Sequence, residues 1–325
     1  MHVFTDKKVL VTGAAGFLGS HLVEALLTEG AQVIGVDNFL TGNQNNLAHL
    51  NNGNFNFIEA DVIQPASQYL NNQIFDYIFH FASPASPPYY QKYPRETYLV
   101  NTVATDHLLS FLKETNPAGT FIFAGTSEAY GNPQEHPQPE TYWGNVNPNG
   151  PRSMYDESKR LGETICGVFH RDFGLDTRIV RIFNTYGPRI DAEDGRIIPS
   201  FISSALKNQP MEVYGDGSQT RSYCYVSDLI EGILRLATEP EAKGETVNIG
   251  NPEEFTVLET AKIVWRAIHG ADSEPQIIYS DLPTDDPMRR QPDISKAKQL
   301  LGWEPTISFE QGLQKTIEYF QHASL

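Results

Sequence analysis

Short apolar segments rich in Val, Ile and Phe alternate with segments of helical periodicity through the first half of the chain. This alternation is typical of a parallel β-sheet covered by helices on both faces. It predicts strands at residues 9–12, 32–36, 55–58, 77–81, 121–124 and 177–182, with helices at 17–27, 98–113 and 155–173. The sequence therefore predicts an α/β fold with a Rossmann-like, doubly wound parallel sheet.

The second half of the chain has longer connections that are punctuated by Pro and Gly. Helices are predicted there at residues 198–206, 226–237, 257–268 and 309–319. We expect residues 1–182 to form one domain and residues 183–325 to form a smaller α/β domain that holds a substrate. Residues 226–250 have the helix-and-strand pattern of a segment that returns to the first domain.

Charge and cysteine content exclude several classes of function. The 325 residues carry a formal net charge of -16, which would repel nucleic acids and anionic membranes. Cys166 and Cys224 are the only cysteines, so neither a disulfide framework nor a cysteine metal site is predicted, and we expect no metal. No apolar signal region or membrane-spanning run is visible, which predicts a cytoplasmic protein that contacts no membrane.

A glycine-rich loop joins the first predicted strand to the first predicted helix. A backbone without side chains lets a pyrophosphate approach the helix N-terminus, where the helix dipole favours anions. The residues expected to contact a dinucleotide there are Gly13, Gly16, Phe17, Leu18 and Gly19. Three glycines alone would fit a tight strand-to-helix turn equally well.

Asp37 at the end of the second predicted strand extends this pattern. Its carboxylate can accept hydrogen bonds from both hydroxyls of an adenosine ribose. The same charge would repel a 2'-phosphate, and residues 38–45 contain no arginine, so NAD is favoured over NADP. Asp61 is a candidate for the adenine amino group, although an aspartate at a strand end often simply caps a turn. Asn38, Val62 and Ala82 are assigned to the same cofactor site.

Tyr155 and Lys159 stand one helical turn apart on one face of a predicted helix. A nearby positive charge favours the phenolate, so Lys159 is expected to lower the pKa of Tyr155. Tyr155 could then take a hydroxyl proton while hydride leaves the same carbon. By itself, this spacing is better explained by two side chains on a helix surface. Beside a dinucleotide site, it predicts an enzyme that oxidises and reduces a carbon that carries a hydroxyl.

Thr126, Ser127 and Glu128 follow the predicted strand 121–124 at its carboxyl end, where ligands bind in open α/β sheets. The two hydroxyls could equally cap a turn, but Glu128 has no predicted helix to cap. We therefore interpret the segment as catalytic.

Together, the glycine loop, Asp37, Thr126 and the pair Tyr155 and Lys159 resemble the extended short-chain dehydrogenase/reductase family of nucleotide-sugar enzymes. Within that family, residues 82–88, 126–131, 136–148 and 285–293 resemble the corresponding stretches of the UDP-glucuronate decarboxylases. Related 4,6-dehydratases have an Asp-Glu pair after the Thr, and 4-epimerases have mostly small or hydroxylic residues. A Ser and a single Glu follow Thr126 here, which is the decarboxylase pattern.

The resemblance implies conversion of UDP-glucuronate to UDP-xylose through a 4-keto intermediate, with NAD regenerated in the active site. In this scheme Tyr155 is the base, Lys159 also holds the nicotinamide ribose, Thr126 binds the C4 oxygen and Glu128 serves the protonation of C5 through a water. The catalytic residues that it implies are Tyr155, Lys159, Thr126, Glu128, Ser127 and Arg290. The substrate-binding residues that it implies are Tyr90, Asn184, Arg196, Tyr214, Arg221 and Arg290.

It also makes residues 1–182, with 226–250, the NAD-binding domain and residues 183–325 the nucleotide-sugar-binding domain. The helices predicted at 98–112 and 154–169 are apolar on more than one face, which together with the resemblance predicts a homodimer. His80, in an apolar strand, is expected to be a hydrogen-bonded core residue.

Two other functions remain open. One is a nucleotide-sugar 4-epimerase or 4,6-dehydratase of the same fold. The other is a non-catalytic NAD-sensing module, which would be expected to lack Tyr155 or Lys159; the sequence has both.

Overall fold

The computed structural model describes residues 3–50 and 53–322. Its strands are β1 (Lys8–Thr12), β2 (Gln32–Asp37), β3 (Phe55–Glu59), β4 (Tyr77–His80), β5 (Thr120–Thr126), β6 (Asp176–Ile182), β7 (Thr185–Tyr186), β8 (Met211–Tyr214), β9 (Thr220–Ser222), β10 (Cys224–Tyr225), β11 (Thr246–Ile249), β12 (Glu254–Thr256) and β13 (Ile277–Ser280).

Its α-helices are α1 (Phe17–Thr28), α2 (Ser67–Leu70), α3 (Pro87–Lys92), α4 (Pro94–Thr115), α5 (Ser153–Phe173), α6 (Ile197–Leu206), α7 (Val226–Thr238), α8 (Val257–His269), α9 (Ser295–Leu301) and α10 (Phe309–His322). Short 3-10 helices cover Gln44–Asn46, Ser127–Tyr130 and Pro240–Ala242.

Seven strands form one parallel sheet in the order β11-β6-β5-β4-β1-β2-β3. The chain leaves β1 toward β2 on one side and later returns to β4 on the other, so the direction of winding reverses between β1 and β4. In such sheets, the crevice at the carboxyl ends of the strands beside this reversal is the usual ligand site. The predicted doubly wound α/β fold is confirmed.

Alternation along each strand explains how the sheet is buried on both faces. Val9 and Val11 of β1 belong to one apolar core with α1, α6 and α7, whereas Leu10 between them belongs to a second core with α4 and α5. Because successive side chains of a strand point to opposite faces, a continuous apolar run fills both cores. The helices α4 and α5 pack closely against each other over the second core.

The strand β11 pairs in parallel with β6, with Thr246 opposite Ile179, and thus forms an edge of the main sheet. The smaller sheets lie in the second half of the chain: β8 with β13, β9 with β12, and β7 with β10.

The helix predicted at 98–113 begins earlier, at Pro94, because proline lacks only an N–H that the first helical turn leaves unpaired. Within residues 3–50 and 53–322, no helix has the length and apolar character needed to cross a membrane.

Candidate active site

A cleft of about 1480 Å³ opens at the carboxyl ends of the central strands, and a smaller cavity of about 80 Å³ adjoins it beside the glycine loop. Every residue of the predicted sites lines one of the two. The smaller cavity is lined by Asp37, Asn38, Asp61, Val62 and Ala82, and by Gly13 and Gly16, which also line the cleft. The cleft is lined by Phe17, Leu18, Gly19, Tyr90, Thr126, Ser127, Glu128, Tyr155, Lys159, Asn184, Arg196, Tyr214, Arg221 and Arg290.

The glycine loop is packed too tightly for side chains. Gly13 has a φ of 73°, and a Cβ there would lie 2.7 Å from the backbone nitrogen of Ala82. A Cβ at Gly19 would lie 2.7 Å from the carbonyl carbon of Gly13 and collide with its oxygen. Gly16 caps α1 without a side-chain hydrogen bond. A helix N-terminus approached by bare backbone beside a cavity fits the pyrophosphate of a dinucleotide.

Asp37 is fixed by backbone donors at the end of β2. Its Oδ2 accepts from the Ala15 N–H at 3.0 Å and its Oδ1 accepts from the Phe39 N–H at 2.8 Å. Burial raises the pKa of Asp37, although these bonds oppose the shift. A carboxylate accepts up to four hydrogen bonds, so two ribose hydroxyls can be added. Asp61 accepts from the Ile63 N–H at 3.0 Å. This contact caps a turn, which is the second of the two roles considered for Asp61 from the sequence.

Tyr155 and Lys159 are both buried in the cleft, at 6% and 3% exposure. Burial raises the pKa of Tyr155 to about 12, and a hydrogen bond with Thr126 acts in the opposite direction. Burial also lowers the pKa of Lys159 to about 7. Lys159 lies beside Tyr155, with its Nζ 5.8 Å from the centroid of the Tyr155 ring, and donates to the Ala124 carbonyl at 2.8 Å. That Lys159 lowers the pKa of Tyr155 stays a prediction.

Tyr90 of α3 lies directly against Tyr155. The two rings stack with centroids 5.1 Å apart and an interplanar angle of 13°. The Tyr90 hydroxyl is buried and has no hydrogen-bond partner among the described residues, so it is available to a ligand.

Glu128 is held by two arginines at the end of β5. Its Oε2 accepts from Arg290 Nη2 at 2.6 Å and its Oε1 pairs with Arg152 Nη2 at 2.7 Å. Burial alone would raise the pKa of Glu128, but the charges of Arg290 and Arg152 outweigh it and the pKa is lowered. Glu128 is therefore ionised at neutral pH. The Thr126 hydroxyl accepts from the Glu128 N–H at 3.2 Å, so it does cap the 3-10 turn as well as line the cleft.

Arg152 and Asp286 are the site residues that the sequence analysis missed. Arg152 is 7% exposed and donates to Asp286 Oδ1 at 3.1 Å. A signal for Arg152 was present, because it stands three residues before Tyr155 and so on the same helical face. Asp286 follows Arg152 by 134 positions and could not be paired with it by local spacing.

The predicted phosphate ligands are brought to the cleft, but each arginine already binds another side chain. Arg221 donates to Asp286 at 2.7 Å, and Arg196 donates from Nη2 to Asp194 at 2.7 Å. Arg290 donates from Nη1 to the Asn184 side-chain oxygen at 3.2 Å.

Two other predicted residues have simpler surroundings. Tyr214 is 42% exposed and lines the cleft from β8. His80 is buried, with its ring nitrogens bonded to Thr12 at 2.7 Å and to the Val100 carbonyl at 3.0 Å, as a core residue is expected to be. Over the described part of the chain, no cluster of three or more His, Cys, Asp or Glu side chains could hold a metal ion.

The chain is similar to proteins of known activity over almost its whole length. It is 48% identical over 318 residues to UDP-glucuronic acid decarboxylase 4 of Arabidopsis thaliana, covering 97% of this chain and 68% of that protein. It is 46% identical to UDP-glucuronic acid decarboxylase 1 of Danio rerio, covering 97% of this chain and 72% of that one.

Among solved structures, the fold matches UDP-glucuronic acid 4-epimerase from Bacillus cereus, determined in complex with UDP-glucuronic acid and NAD. The TM-score is 0.86 at 31% identity, over 97% of this chain and 99% of that one. Residues 9–250 match the sequence model of the NAD dependent epimerase/dehydratase family. The dependence on NAD agrees with the cofactor that the glycine loop and Asp37 predict. The chain therefore belongs to the NAD dependent epimerase/dehydratase family and, within it, to the family of the UDP-glucuronic acid decarboxylases.

Proposed function

We propose that this protein converts UDP-glucuronic acid to UDP-xylose and carbon dioxide with an NAD that it regenerates in every turnover. The observation that carries the proposal is the ionised Glu128, held by Arg290 in the same cleft as Tyr155, in a chain whose relatives are named for this decarboxylation.

The cofactor residues follow from the two cavities. The glycine loop and the N-terminus of α1 would hold the pyrophosphate of NAD, and Asp37 would accept hydrogen bonds from the adenosine ribose. Lys159 lines the cleft, where it would bind the nicotinamide ribose and direct its positive charge toward the ligands. The lining residues Asn38, Val62 and Ala82 would hold the adenosine, and Asp61 would accept a hydrogen bond from the adenine amino group.

Oxidation begins at C4 of the sugar. Tyr155 takes the proton of the C4 hydroxyl, while Thr126, whose hydroxyl is bonded to Tyr155, holds the C4 oxygen. NAD, when bound, would supply the redox chemistry, which is the removal of hydride from C4 and its later return. Because burial raises the pKa of Tyr155 to about 12, the tyrosine is a poor base until a positive charge is near its hydroxyl. In the proposed substrate complex, the Lys159 ammonium and the oxidised nicotinamide would supply that charge.

Decarboxylation follows from the ketone at C4. The C5 carboxylate is then β to a carbonyl, so the bond between C5 and the carboxyl carbon breaks and its electron pair moves onto the C4 oxygen as an enolate. Thr126 stabilises that oxygen by hydrogen bonding. Glu128, kept ionised by its arginines, orients a water that gives a proton to C5, and Ser127 lines the cleft beside it. The hydroxide left behind takes a proton from solvent, so one solvent proton replaces the departing carbon dioxide in each turnover. Tyr155 finally returns its proton to the C4 oxygen.

The anionic substrate is bound by the second half of the chain and by α3. Tyr90 offers its unpaired hydroxyl to the sugar carboxylate, and Tyr214 packs against the uracil at the mouth of the cleft. The guanidinium groups of Arg196, Arg221 and Arg290 contact the diphosphate, together with Asn184. A guanidinium has five N–H donors, so one that binds a carboxylate still has donors for a phosphate oxygen.

Domain division and assembly are part of the proposal. Residues 1–182, with the segment 226–250 that contributes β11 to the main sheet, form the NAD-binding domain, and residues 183–325 form the nucleotide-sugar-binding domain. Two subunits associate through α4 and α5, where Tyr98 and Leu161 are 43% and 49% exposed although they are apolar. The location proposed is the cytoplasm.

The test is to incubate purified protein with UDP-glucuronic acid without added NAD and to measure carbon dioxide and UDP-xylose. Release of both confirms the proposal, and Tyr155→Phe is the control, expected to release neither. A 4-epimer of UDP-glucuronic acid without gas would instead establish a 4-epimerase. The 4-keto pentose together with NADH would show that the intermediate leaves before the hydride is returned.

A further inference from the structure

We propose that Arg152 is a positioning residue for Glu128, holding its carboxylate in one orientation and tying it to the loop that carries Asp286. The inference deepens the proposed function and rests on it, because the water that Glu128 orients is the proton source for C5.

A different arginine contacts each carboxylate oxygen of Glu128. Arg290 binds Oε2 at 2.6 Å and Arg152 binds Oε1 at 2.7 Å. A carboxylate held through one oxygen can turn about its last side-chain bond, whereas one held through both oxygens by two different groups cannot. The bond from Arg290 is a charge-assisted hydrogen bond, one of the strong kinds in proteins, and the contact with Arg152 is a close ion pair. Arg152 therefore determines the direction in which the lone pairs of Glu128 point.

Arg152 is itself fixed at both its backbone and its side chain. Its carbonyl accepts the N–H groups of Tyr155 and Asp156 at 3.0 Å and 3.1 Å, so it starts the helix that carries the proposed base. Its Nη1 donates to Asp286 at 3.1 Å while Nη2 pairs with Glu128. One guanidinium thus joins the 3-10 turn after β5, the start of α5 and the loop that follows β13. An ammonium is a point charge without this fork and cannot reproduce both contacts.

The charges around Glu128 show what Arg152 adds to its ionisation. Arg290, Arg152 and Arg221 lower the pKa of Glu128, against the burial that raises it. Asp156 also faces Arg152, with its Oδ2 4.0 Å from Arg152 Nε, and burial followed by the charge of Glu128 raises the pKa of Asp156. The shorter contacts of Arg152 are those with Glu128 and Asp286, at 2.7 Å and 3.1 Å.

Two tyrosines also face this cluster. Glu128 raises the pKa of both Tyr90 and Tyr155, and both stay neutral near pH 7 because burial raises their pKa values further. Neither can replace the positive charge of Arg152. Removing that charge therefore moves the pKa of Glu128 upward, and the acid limb of the pH profile moves to higher pH with it.

The test is a pH profile of kcat for Arg152→Gln. The acid limb is expected to rise by about one pH unit or more, and kcat at neutral pH to fall about tenfold to hundredfold, part of the ~10²–10⁴ contributed by a general acid–base group. KM is expected to change little. In the Glu128→Gln background, Arg152→Gln is expected to cause no further loss, because its effect passes through Glu128.

Arg160→Gln is the matched control. Arg160 lies on the same helix and donates to the carbonyl groups of Ala129 and Trp143, on the same 3-10 turn and the loop that follows it, without contacting Glu128. Its pH profile is expected to match that of the wild type. Where Arg152→Gln does not fold, as judged by near-UV circular dichroism and NAD binding, Arg152→Lys is measured and is expected to shift the acid limb in the same direction by less.

A readout without turnover separates this inference from the proposed function. The carboxyl infrared band of Glu128, isolated by subtracting the Glu128→Gln spectrum, is titrated with pH in the wild-type and Arg152→Gln backgrounds. A higher pKa of Glu128 in Arg152→Gln supports the inference even in a chain that releases no carbon dioxide. An unchanged pKa, or a full additional loss of kcat in the Glu128→Gln background, overturns it.

Discussion

Replacing Gly19 by alanine is expected to push α1 away from the glycine loop. The new Cβ would lie 2.7 Å from the Gly13 carbonyl carbon and 3.0 Å from the Ala14 Cα, both backbone atoms. Carbon atoms pack best at about 3.5–4.0 Å, so the start of the helix must move by about 1 Å. Such overpacking costs about 1–3 kcal/mol. Alanine recovers about 0.5–1 kcal/mol of helix stability relative to glycine.

The net loss is therefore about 0–2.5 kcal/mol, and an unfolding entropy of about 2.1 cal/mol/K per residue over 325 residues converts this to a Tm lowered by about 0–4 °C. The displaced backbone would also bind a pyrophosphate less well, and we expect NAD affinity to fall at least about tenfold, or ~1.4 kcal/mol. Calorimetric titration with NAD and differential scanning calorimetry measure the two effects.

Gly167→Ala is the control for this experiment. Gly167 also lies inside a helix, but a Cβ there would meet only the guanidinium of Arg171, at 2.6 Å, and that flexible group can move. We expect an unchanged NAD affinity and an equal or higher Tm. If Gly19→Ala behaved as this control does, the close packing of α1 on the loop would be refuted as the reason for glycine at residue 19.

Three further substitutions test other parts of the structure. Lys159→Met should abolish turnover and should raise Tm more near pH 7 than near pH 10. Because the pKa of Lys159 is lowered to about 7 in the folded protein, the unfolded chain binds that proton more tightly, and the wild type gains stability as pH rises from about 7 to the ordinary lysine pKa. A lower Tm of Lys159→Met near pH 7 would contradict this. Asp228→Ala leaves the N–H groups of Thr306 and Ile307 without their carboxylate, and urea unfolding should show a loss of about 2–3 kcal/mol. Asp37→Ser removes the carboxylate at the end of β2, so the ratio of the Kd values for NADP and NAD should fall; an unchanged ratio would show that Asp37 does not select the cofactor.

The fold could be predicted because it depends on patterns of apolar residues within short stretches of the sequence. In β1, Val9, Leu10 and Val11 are each apolar since the two faces of the strand enter two cores, and such runs are visible in the sequence. The end of β5 was less visible. The prediction stopped at residue 124, because Gly125 and Thr126 are ordinary turn residues, but both continue the strand opposite β6.

The electrostatics of the site could not be predicted in the same way. The resemblance and the helical spacing place Tyr155 and Lys159 together, but neither shows that the ammonium donates to the Ala124 carbonyl. That contact depends on how far α5 lies from β5, which is a property of packing. Asp286 is likewise brought to Arg152 and Arg221 only by the path of the loop after β13.

These long-range pairs explain how a chain with a net charge of -16 can bind an anionic nucleotide sugar. Arg196 and Arg221 line the cleft with their forks already set by Asp194 and Asp286. An arginine so held loses less side-chain freedom when a phosphate arrives than one that extends into solvent. The carboxylates also reduce the cost of burying the arginines, which would be high for an unpaired cation. The acidic residues inside the cleft therefore favour an anionic ligand, because they hold in place the arginines that bind it. The acidic surface as a whole still repels that ligand.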